Sequence, residues 1–324
     1  QITYNKQRPL ITMVTADADP ECGTYGWQLF ESLMNQVSED DAIIWAMHES
    51  GNLNNPTSTK LLDSVFYDFG LPRFYLDDGN LGVDSSNFRL IEDEVVDIIK
   101  NPLFTESYIG INFDINENAN NTFDFKVKIK PNIELQANTY KIGLYLLSDS
   151  IISFQENIGF QAVHRNVLIN SLLPAVFGIE VPVNRKKTDT IYEISFPNIN
   201  VRNLGEGFKN LKVAAILWSL DNESTHRYFN GEIKDLIISA PNCIHPDYQA
   251  LMALYDSTNG DGWINNTGWK EGKEVTNCDP CNGWYGVKCT NRRVDSLLLG
   301  NNNLIVRLPE FEGLENLVYF YIGS

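Results

Sequence analysis

The sequence predicts a multi-domain chain: an α/β domain, then an antiparallel β-sandwich, then the start of a repeat solenoid. Three observations predict it. Strand-length apolar runs alternate with amphipathic helical stretches over the first hundred residues, the apolar period switches to two after Pro102, and a fixed apolar spacing recurs near the C-terminus. The expected divisions are residues 1–103, 104–240 and 241–324.

The first domain opens with Pro9 to Thr15 (PLITMVT), an apolar run of strand length. An acidic turn, Asp17-Ala18-Asp19-Pro20-Glu21, leads into Cys22-Gly23-Thr24-Tyr25. Trp27, Phe30, Met34 and Val37 then recur at helical spacing, and Asp41 to Met47 is a second buried strand. Leu61, Val65, Phe66 and Phe69 mark a second helix stopped by Gly70, Leu71-Pro72 opens a third strand, and Ile91 to Ile99 is a further helix. Strand–helix–strand order implies parallel crossovers.

In the middle region, Ile109, Ile111, Phe113 and Ile115 alternate with polar or small residues, as do Phe123, Phe125, Val127 and Ile129. Tyr140 to Leu147, Ile191 to Phe196 and Leu211 to Trp218 continue the strand series, and Gln161 to Leu173 is the one stretch expected to be helical. Near Cys243 the character changes again. Asp247 to Tyr255 is amphipathic and helical, and Val294, Leu297, Leu299, Asn302 and Leu304 fit L-x-x-L-x-L-x-x-N-x-L. A shift of 23 residues finds apolar partners again: 294 to 317, 297 to 320, and 299 to 322. The repeat stops partway at Ser324, so the natural protein is expected to continue.

Composition narrows the function. Asp and Glu total 42 against 25 Lys and Arg, a formal net charge of −17, and the longest basic run is the short Arg185-Lys186-Lys187. A phosphate backbone or an anionic bilayer would be repelled, so neither nucleic acid nor membrane insertion is expected. No stretch approaches the roughly 18 apolar residues needed to span a bilayer. Gln1 is read as the end left by signal-peptide removal, with secretion preferred over lipid anchoring. Of the five cysteines, Cys22 stands alone, while Cys243, Cys278, Cys281 and Cys289 cluster. Cys278-Asp279-Pro280-Cys281 has the spacing of half a zinc site, with only Cys243, Cys289 and His245 to complete it. Two disulfides are the favoured reading in a secreted chain, with no metal and no cofactor.

Cys22 between a strand and a helix, with Leu71-Pro72 ahead of a later strand, resembles the thioredoxin arrangement of an attacking cysteine facing a cis-proline. Followed by "TYKIGLYLLSDSIISFQ", "AVHRNVLINSLL" and "NLKVAAILW", it is similar to the twenty-eight-kilodalton outer-membrane protein family of Bacteroidota over roughly residues 9–238. The tail "ALMALYDSTNGDGW…CDPCNGWYGVKCTNRRVDSLLLGNNNL…RLP" resembles the cysteine-capped start of a leucine-rich repeat domain. That second resemblance implies Cys243–Cys278 and Cys281–Cys289 pairs; the cysteines alone leave the other two pairings open. Together the resemblances imply a thioredoxin-like domain, a cell-surface location in a Gram-negative bacterium and contact with the secretion machinery of Bacteroidota.

In thioredoxin chemistry one thiolate attacks and a second thiol resolves the mixed disulfide. Tyr25 stands at the resolving place and cannot do that work. A helix N-terminus would lower the Cys22 pKa, whereas Asp17, Asp19 and Glu21 push it up. Cys22, Tyr25 and Pro72 are therefore expected to form a degenerate, non-catalytic site. No motif places a nucleophile or carboxylate near His164-Arg165-Asn166, which is read as packing, and His48-Glu49, a lone pair without other ligands, is read as polar surface. Trp263, Trp269, Trp284 and Tyr285 are expected to cover the first repeat layer. Among Asp-Ser/Thr triplets at Ser64, Ser150, Thr190, Ser257 and Ser296, Thr190 and Ser257 are the candidate O-glycosylation sites, being in loop-like sequence. The expected function is a secreted surface binding or adhesion protein, not an enzyme, with a protein or glycan ligand. The alternatives are a single-thiol disulfide-exchange protein acting through Cys22 and a structural subunit of a surface layer or filament.

Overall fold

The computed structural model describes residues 6–101, 107–118, 122–136, 138–183, 188, 190–201, 208, 210–221, 225–237, 245–273, 277–305 and 313–323. The chain divides into two units, Gln1–Ile237 and Ile238–Ser324. The first begins β1 (Leu10–Ala16), a π-type turn (Cys22–Gly26), α1 (Trp27–Gln36), β2 (Ile43–Ser50), α2 (Pro56–Ser64), β3 (Arg73–Leu76), β4 (Gly79–Asn80) and α3 (Phe88–Lys100). β1 and β2 are parallel, in register from Leu10 opposite Ile43, while β3 runs antiparallel to β1. Every residue of β1 is buried, because the strand is covered on both faces. Leu10 and Val14, with Ile43, Trp45 and Met47 of β2, pack toward Leu61 and Leu62 of α2. Ile11, Met13, Ile44 and Ala46 face Leu29, Phe30 and Leu33 of α1 and Val95, Val96 and Ile99 of α3. α2 opens on Asn55, whose side chain accepts from the Ser58 amide, with Pro56 at the first helical position. It ends at Ser64, short of the expected Phe69, which is 98 % exposed rather than part of a core face.

The following strands are β5 (Ile109–Glu117), β6 (Phe123–Pro131), β7 (Thr139–Ser148), β8 (Ile151–Gln155), β9 (Gly159–His164), β10 (Val167–Ser171), β11 (Ile179–Glu180), β12 (Tyr192–Ile199), β13 (Leu211–Leu220) and β14 (His226–Asp235). They do not build a separate sandwich. One sheet runs β14-β13-β7-β10-β2-β1-β3-β4, with β11 alongside β7, so strands from both sides of residue 103 share a hydrogen-bonded layer. The expected boundary at 103/104 is thus corrected. The open edge of β2 is closed by β10, which pairs with it in parallel at Val167–Ala46 and satisfies backbone groups that an edge would leave free. The second layer is the small antiparallel sheet β12-β6-β5, whose β5 lies against β13 and β14. Asn230, fully buried, donates to the Ile109 carbonyl at 2.7 Å and helps hold these layers together. The helix expected over Gln161 to Leu173 is absent. β9 and β10 occupy it, separated by Arg165 and by Asn166 at φ 41°, because His164 and Ala162 bury on one face of an alternating strand.

The second unit holds α4 (Tyr248–Ser257), α5 (Trp269–Lys273), β15 (Val287–Thr290), β16 (Arg293–Leu298) and β17 (Tyr319–Tyr321). β16 and β17 are parallel, with Leu297 opposite Phe320 and Leu298 opposite Tyr321, the 23-residue offset of the sequence pattern. Val294, Leu297 and Leu299 bury against Tyr255, Trp263, Trp269 and Trp284, whose rings touch one another. Asn302 is buried and exchanges bonds with the Asn265 backbone at 2.7 and 2.9 Å. Asp247, with no solvent exposure, accepts from the Val294 amide at 2.6 Å and from Arg293 at 2.9 Å, fixing the N-terminal end of α4 to β16. Among the described residues no helix is long and apolar enough to cross a membrane.

Candidate functional site

Cys22 follows β1 across a turn closed by Asp19, whose Oδ1 accepts from the Glu21 and Cys22 amides at 2.9 Å each. The Leu71–Pro72 bond is cis, and the proline ring lies so close to the helix start that a Cβ on Gly26 would meet its Cγ at 2.6 Å. Tyr25, three residues beyond the thiol, is buried and donates its hydroxyl to Glu21 Oε2 at 3.1 Å. Burial pushes its phenol well above the ordinary value, and Glu21 adds to the rise.

The thiol itself is free and 0 % exposed. The turn of the β8–β9 hairpin is tied to the backbone on which that thiol sits. The Glu156 amide donates to the Asp17 carbonyl at 2.8 Å, Asn157 Nδ2 to the Pro20 carbonyl at 3.0 Å, and Gln155 Nε2 to the Ala16 carbonyl at 3.1 Å. The approach is so tight that a Cβ on Gly23 would lie 1.6 Å from the Glu156 carbonyl oxygen. Burial pushes the Cys22 thiol up to about 12; Thr15 and the Ala16 backbone oppose the rise and Asp19 adds to it. The sequence indicated the acidic contribution. It gave no sign that burial would dominate, because the hairpin is remote in sequence.

The last residue of the same hairpin, His164, belongs to a buried cluster that sequence reasoning missed. His48, near the end of β2, places Nδ1 2.7 Å from Asp17 Oδ1, and the His48 and His164 rings stand 5.1 Å apart. Trp27 meets His164 edge-on at 5.2 Å. Burial, then the neighbouring His48, depresses His164 to about 4. For Asp17, burial works upward, but the His48 ring and the Asn52 amide outweigh it and hold the carboxyl below its ordinary value. His48 is fully buried, not the polar surface expected of it. The rest of the His164-Arg165-Asn166 triplet is structural. Arg165 grips Asp149 through Nε and Nη2 at 2.5 and 3.1 Å, and Asn166 Nδ2 donates to the Ile44 carbonyl at 3.0 Å.

In the second unit Cys281 and Cys289 are disulfide-bonded with an S–S distance of 1.97 Å. Cys278 is also disulfide-bonded, and Cys243 lies outside the described residues. His245, Asp279 and Cys281 converge closely enough to hold a metal ion, but the Cys281 sulfur is committed to Cys289 and has no thiolate to offer. Thr190 is exposed. Ser257 is not in a loop: it is the last residue of α4, half-buried, with its hydroxyl donating to the Leu254 carbonyl at 3.1 Å.

The β2-β1-β3-β4 core, the helix after β1 and the cis-proline before β3 make the first unit thioredoxin-like, with a single sealed thiol where that fold carries its chemistry. No protein-family model matches the chain, and no curated protein matches it. Its structure is similar to HBP35 of Porphyromonas gingivalis, with a TM-score of 0.55 and 15% identity over 72% of this chain and 76% of that one. At that identity the similarity shows a shared fold. A domain of the outer membrane lipoprotein Omp28 from Porphyromonas gingivalis aligns at 14% identity and a TM-score of 0.24, over 41% of this chain and 88% of that one, too loosely to carry an argument.

Proposed function

We propose that this chain is a binding or adhesion protein of a Gram-negative cell surface. In it the thioredoxin-like fold serves as a scaffold, and the second unit is the capped start of a leucine-rich repeat array that meets a protein or glycan ligand. The observation that carries the non-enzymatic part is the sealed Cys22 thiol, held near 12, with Tyr25 in the resolving place. Nucleophilic exchange needs an accessible thiolate, and neither condition is met. Supporting an oxidising compartment is the Cys281–Cys289 disulfide, since such bonds persist outside the cytoplasm. Supporting the repeat reading is the 23-residue offset between parallel β16 and β17 over a tryptophan-rich cap.

The test is insulin reduction and glutathione-dependent disulfide exchange by the purified chain beside Cys22→Ser. Equal background rates are expected. Activity well above background that disappears in Cys22→Ser would instead make the chain a single-thiol exchange protein.

A further inference from the structure

The β8–β9 hairpin is a two-stranded sheet of its own, outside the main layer. Alternation divides its side chains between two faces. Gln155, Ala162 and His164 are buried. Ile152 and Val163 stand directly opposite each other on the other face, and both are exposed. Phe154, two residues from Ile152, shares that face and meets Phe160 with ring centroids 5.0 Å apart. Ile152 is 62 % exposed and Phe160 79 %, and Ile158 at the tip is exposed as well. A contiguous apolar face left in water marks a place of association.

Carboxylates stand at its tip. The Glu156 amide donates to the Asp17 carbonyl at 2.8 Å and Asn157 Nδ2 to the Pro20 carbonyl at 3.0 Å, which sets Glu156 beside the turn carrying Asp19 and Glu21. Asp19 and Glu21 accept from neutral groups only, the amides of Glu21 and Cys22 and the Tyr25 hydroxyl. Among the described residues no lysine or arginine pairs with Asp19, Glu21 or Glu156. Residues 9–59 and 142–164 contain neither amino acid. Arg165, next to His164 at the foot of the hairpin, is engaged by Asp149 at 2.5 Å, and Lys212 of β13 by Glu39. The field around the apolar face is therefore negative and uncompensated at the tip.

We propose that this face docks a cationic, amphipathic polypeptide segment. Apolar side chains of the segment cover Ile152, Phe154, Phe160 and Val163, and its Lys or Arg heads reach Asp19, Glu21 and Glu156 over their own aliphatic stems. A purely apolar partner would desolvate those carboxylates without a counter-charge, and an acidic one would set like charges together. A second copy is disfavoured on the same ground. Each chain carries a formal net charge of −17, and pairing two such faces would oppose two sets of carboxylates. The face lies in the first unit and makes no use of Cys22, so its failure would leave the repeat and thiol readings untouched.

The experiment titrates the whole chain into fluorescein-labelled peptides and follows anisotropy. One probe is two repeats of Lys-Leu-Leu-Lys-Leu-Leu-Lys; the others replace its lysines with glutamate or its leucines with serine. The lysine–leucine peptide is expected to bind at least about tenfold more tightly than either of the others, and to weaken as salt rises. Ile152→Ser combined with Phe160→Ser, both at exposed positions, should weaken it at least about tenfold with an unchanged melting temperature. Glu156→Gln should weaken it severalfold with a shallower salt dependence, while Phe69→Ser, an exposed ring outside the hairpin, should leave it unchanged. Three outcomes overturn the proposal. Either control peptide binds as tightly as the lysine–leucine peptide; or its binding is indifferent to the hairpin substitutions; or the chain sediments as a dimer that Ile152→Ser with Phe160→Ser dissolves, which would make a second copy the occupant.

Discussion

Gly23→Ala tests whether the β8–β9 hairpin is the lid of Cys22. An alanine Cβ at this position would sit 1.6 Å from the Glu156 carbonyl oxygen. To regain ordinary separation the hairpin turn would have to withdraw by about 1.5 Å or more. Withdrawal breaks the Glu156–Asp17, Asn157–Pro20 and Gln155–Ala16 hydrogen bonds, now 2.8, 3.0 and 3.1 Å long. At about 1 kcal/mol each, the closed hairpin loses about 3 kcal/mol relative to the open one, roughly a hundredfold in the opening equilibrium. Once open, the thiol regains solvation. A fall from about 12 toward an ordinary value of 9.0 raises the thiolate fraction near pH 8 by up to about a thousandfold. The assay is the rate of Cys22 labelling by iodoacetamide under native conditions, read by mass spectrometry of the peptide containing Cys22. The wild-type chain should label only on unfolding, and Gly23→Ala should label at least about a hundredfold faster without denaturant. Gln155→Ala, which removes the amide tie to Ala16 without adding bulk, should show a smaller increase in the same direction. Unchanged labelling in both variants, with Gly23→Ala nonetheless destabilised, would refute the hairpin as the cover.

Tyr25→Cys restores the C-x-x-C spacing, yet insulin reduction should stay at background because Cys22 remains sealed; turnover in this variant would show that the missing resolving cysteine, not burial, was the limit. His164, held near 4 against an unfolded value of about 6.5, is neutral in the fold and protonated in the unfolded chain between those values. Its contribution is therefore absent above pH 6.5 and destabilises progressively as pH falls toward 4, by up to about 3 kcal/mol, and denaturant midpoints of His164→Gln should lack that part of the slope. His226, also depressed by burial, adds the same sign in both proteins and so cancels in the difference. Asp247→Asn turns one carboxylate oxygen into an NH₂ that meets the donors of Arg293 or Val294, and the second unit should lose about 2–4 kcal/mol by calorimetry; a change under 1 kcal/mol would show that this buried pair is dispensable. Intact mass without reductant should be about four hydrogens below the reduced mass, and bound zinc with four free thiols would overturn the cap assignment.

Much of the secondary structure was legible because its signals are local. Alternation at Phe123, Phe125, Val127 and Ile129 marks a strand whichever sheet receives it, and β6 buries those four residues. The 23-residue apolar spacing near the C-terminus likewise predicted a register, and the parallel pair β16–β17 has that offset, with Leu297 opposite Phe320. The sequence by itself also determined which side chains stand at the thioredoxin-like position: one thiol, Cys22, and a tyrosine, Tyr25, three residues on.

Only the tertiary structure decided which strands share a sheet, and with that whether Cys22 is open or shut. Parallel pairing of β10 on the edge of β2 is a contact between distant segments with no trace in local periodicity, and so is the bond from Gln155 of β8 back to the Ala16 carbonyl ahead of the Cys22 turn. The same closure brings His48, Asp17 and His164 together from three separate strands and turns, each unremarkable in its own stretch of sequence. Phe69 is the converse case. Its spacing matched a helical core face, but α2 stops at Ser64, and a periodic residue beyond a helix end has no face to share. Burial, and the pKa values that follow from it, depend on what the rest of the chain places overhead, so no reading confined to neighbouring residues could have supplied them.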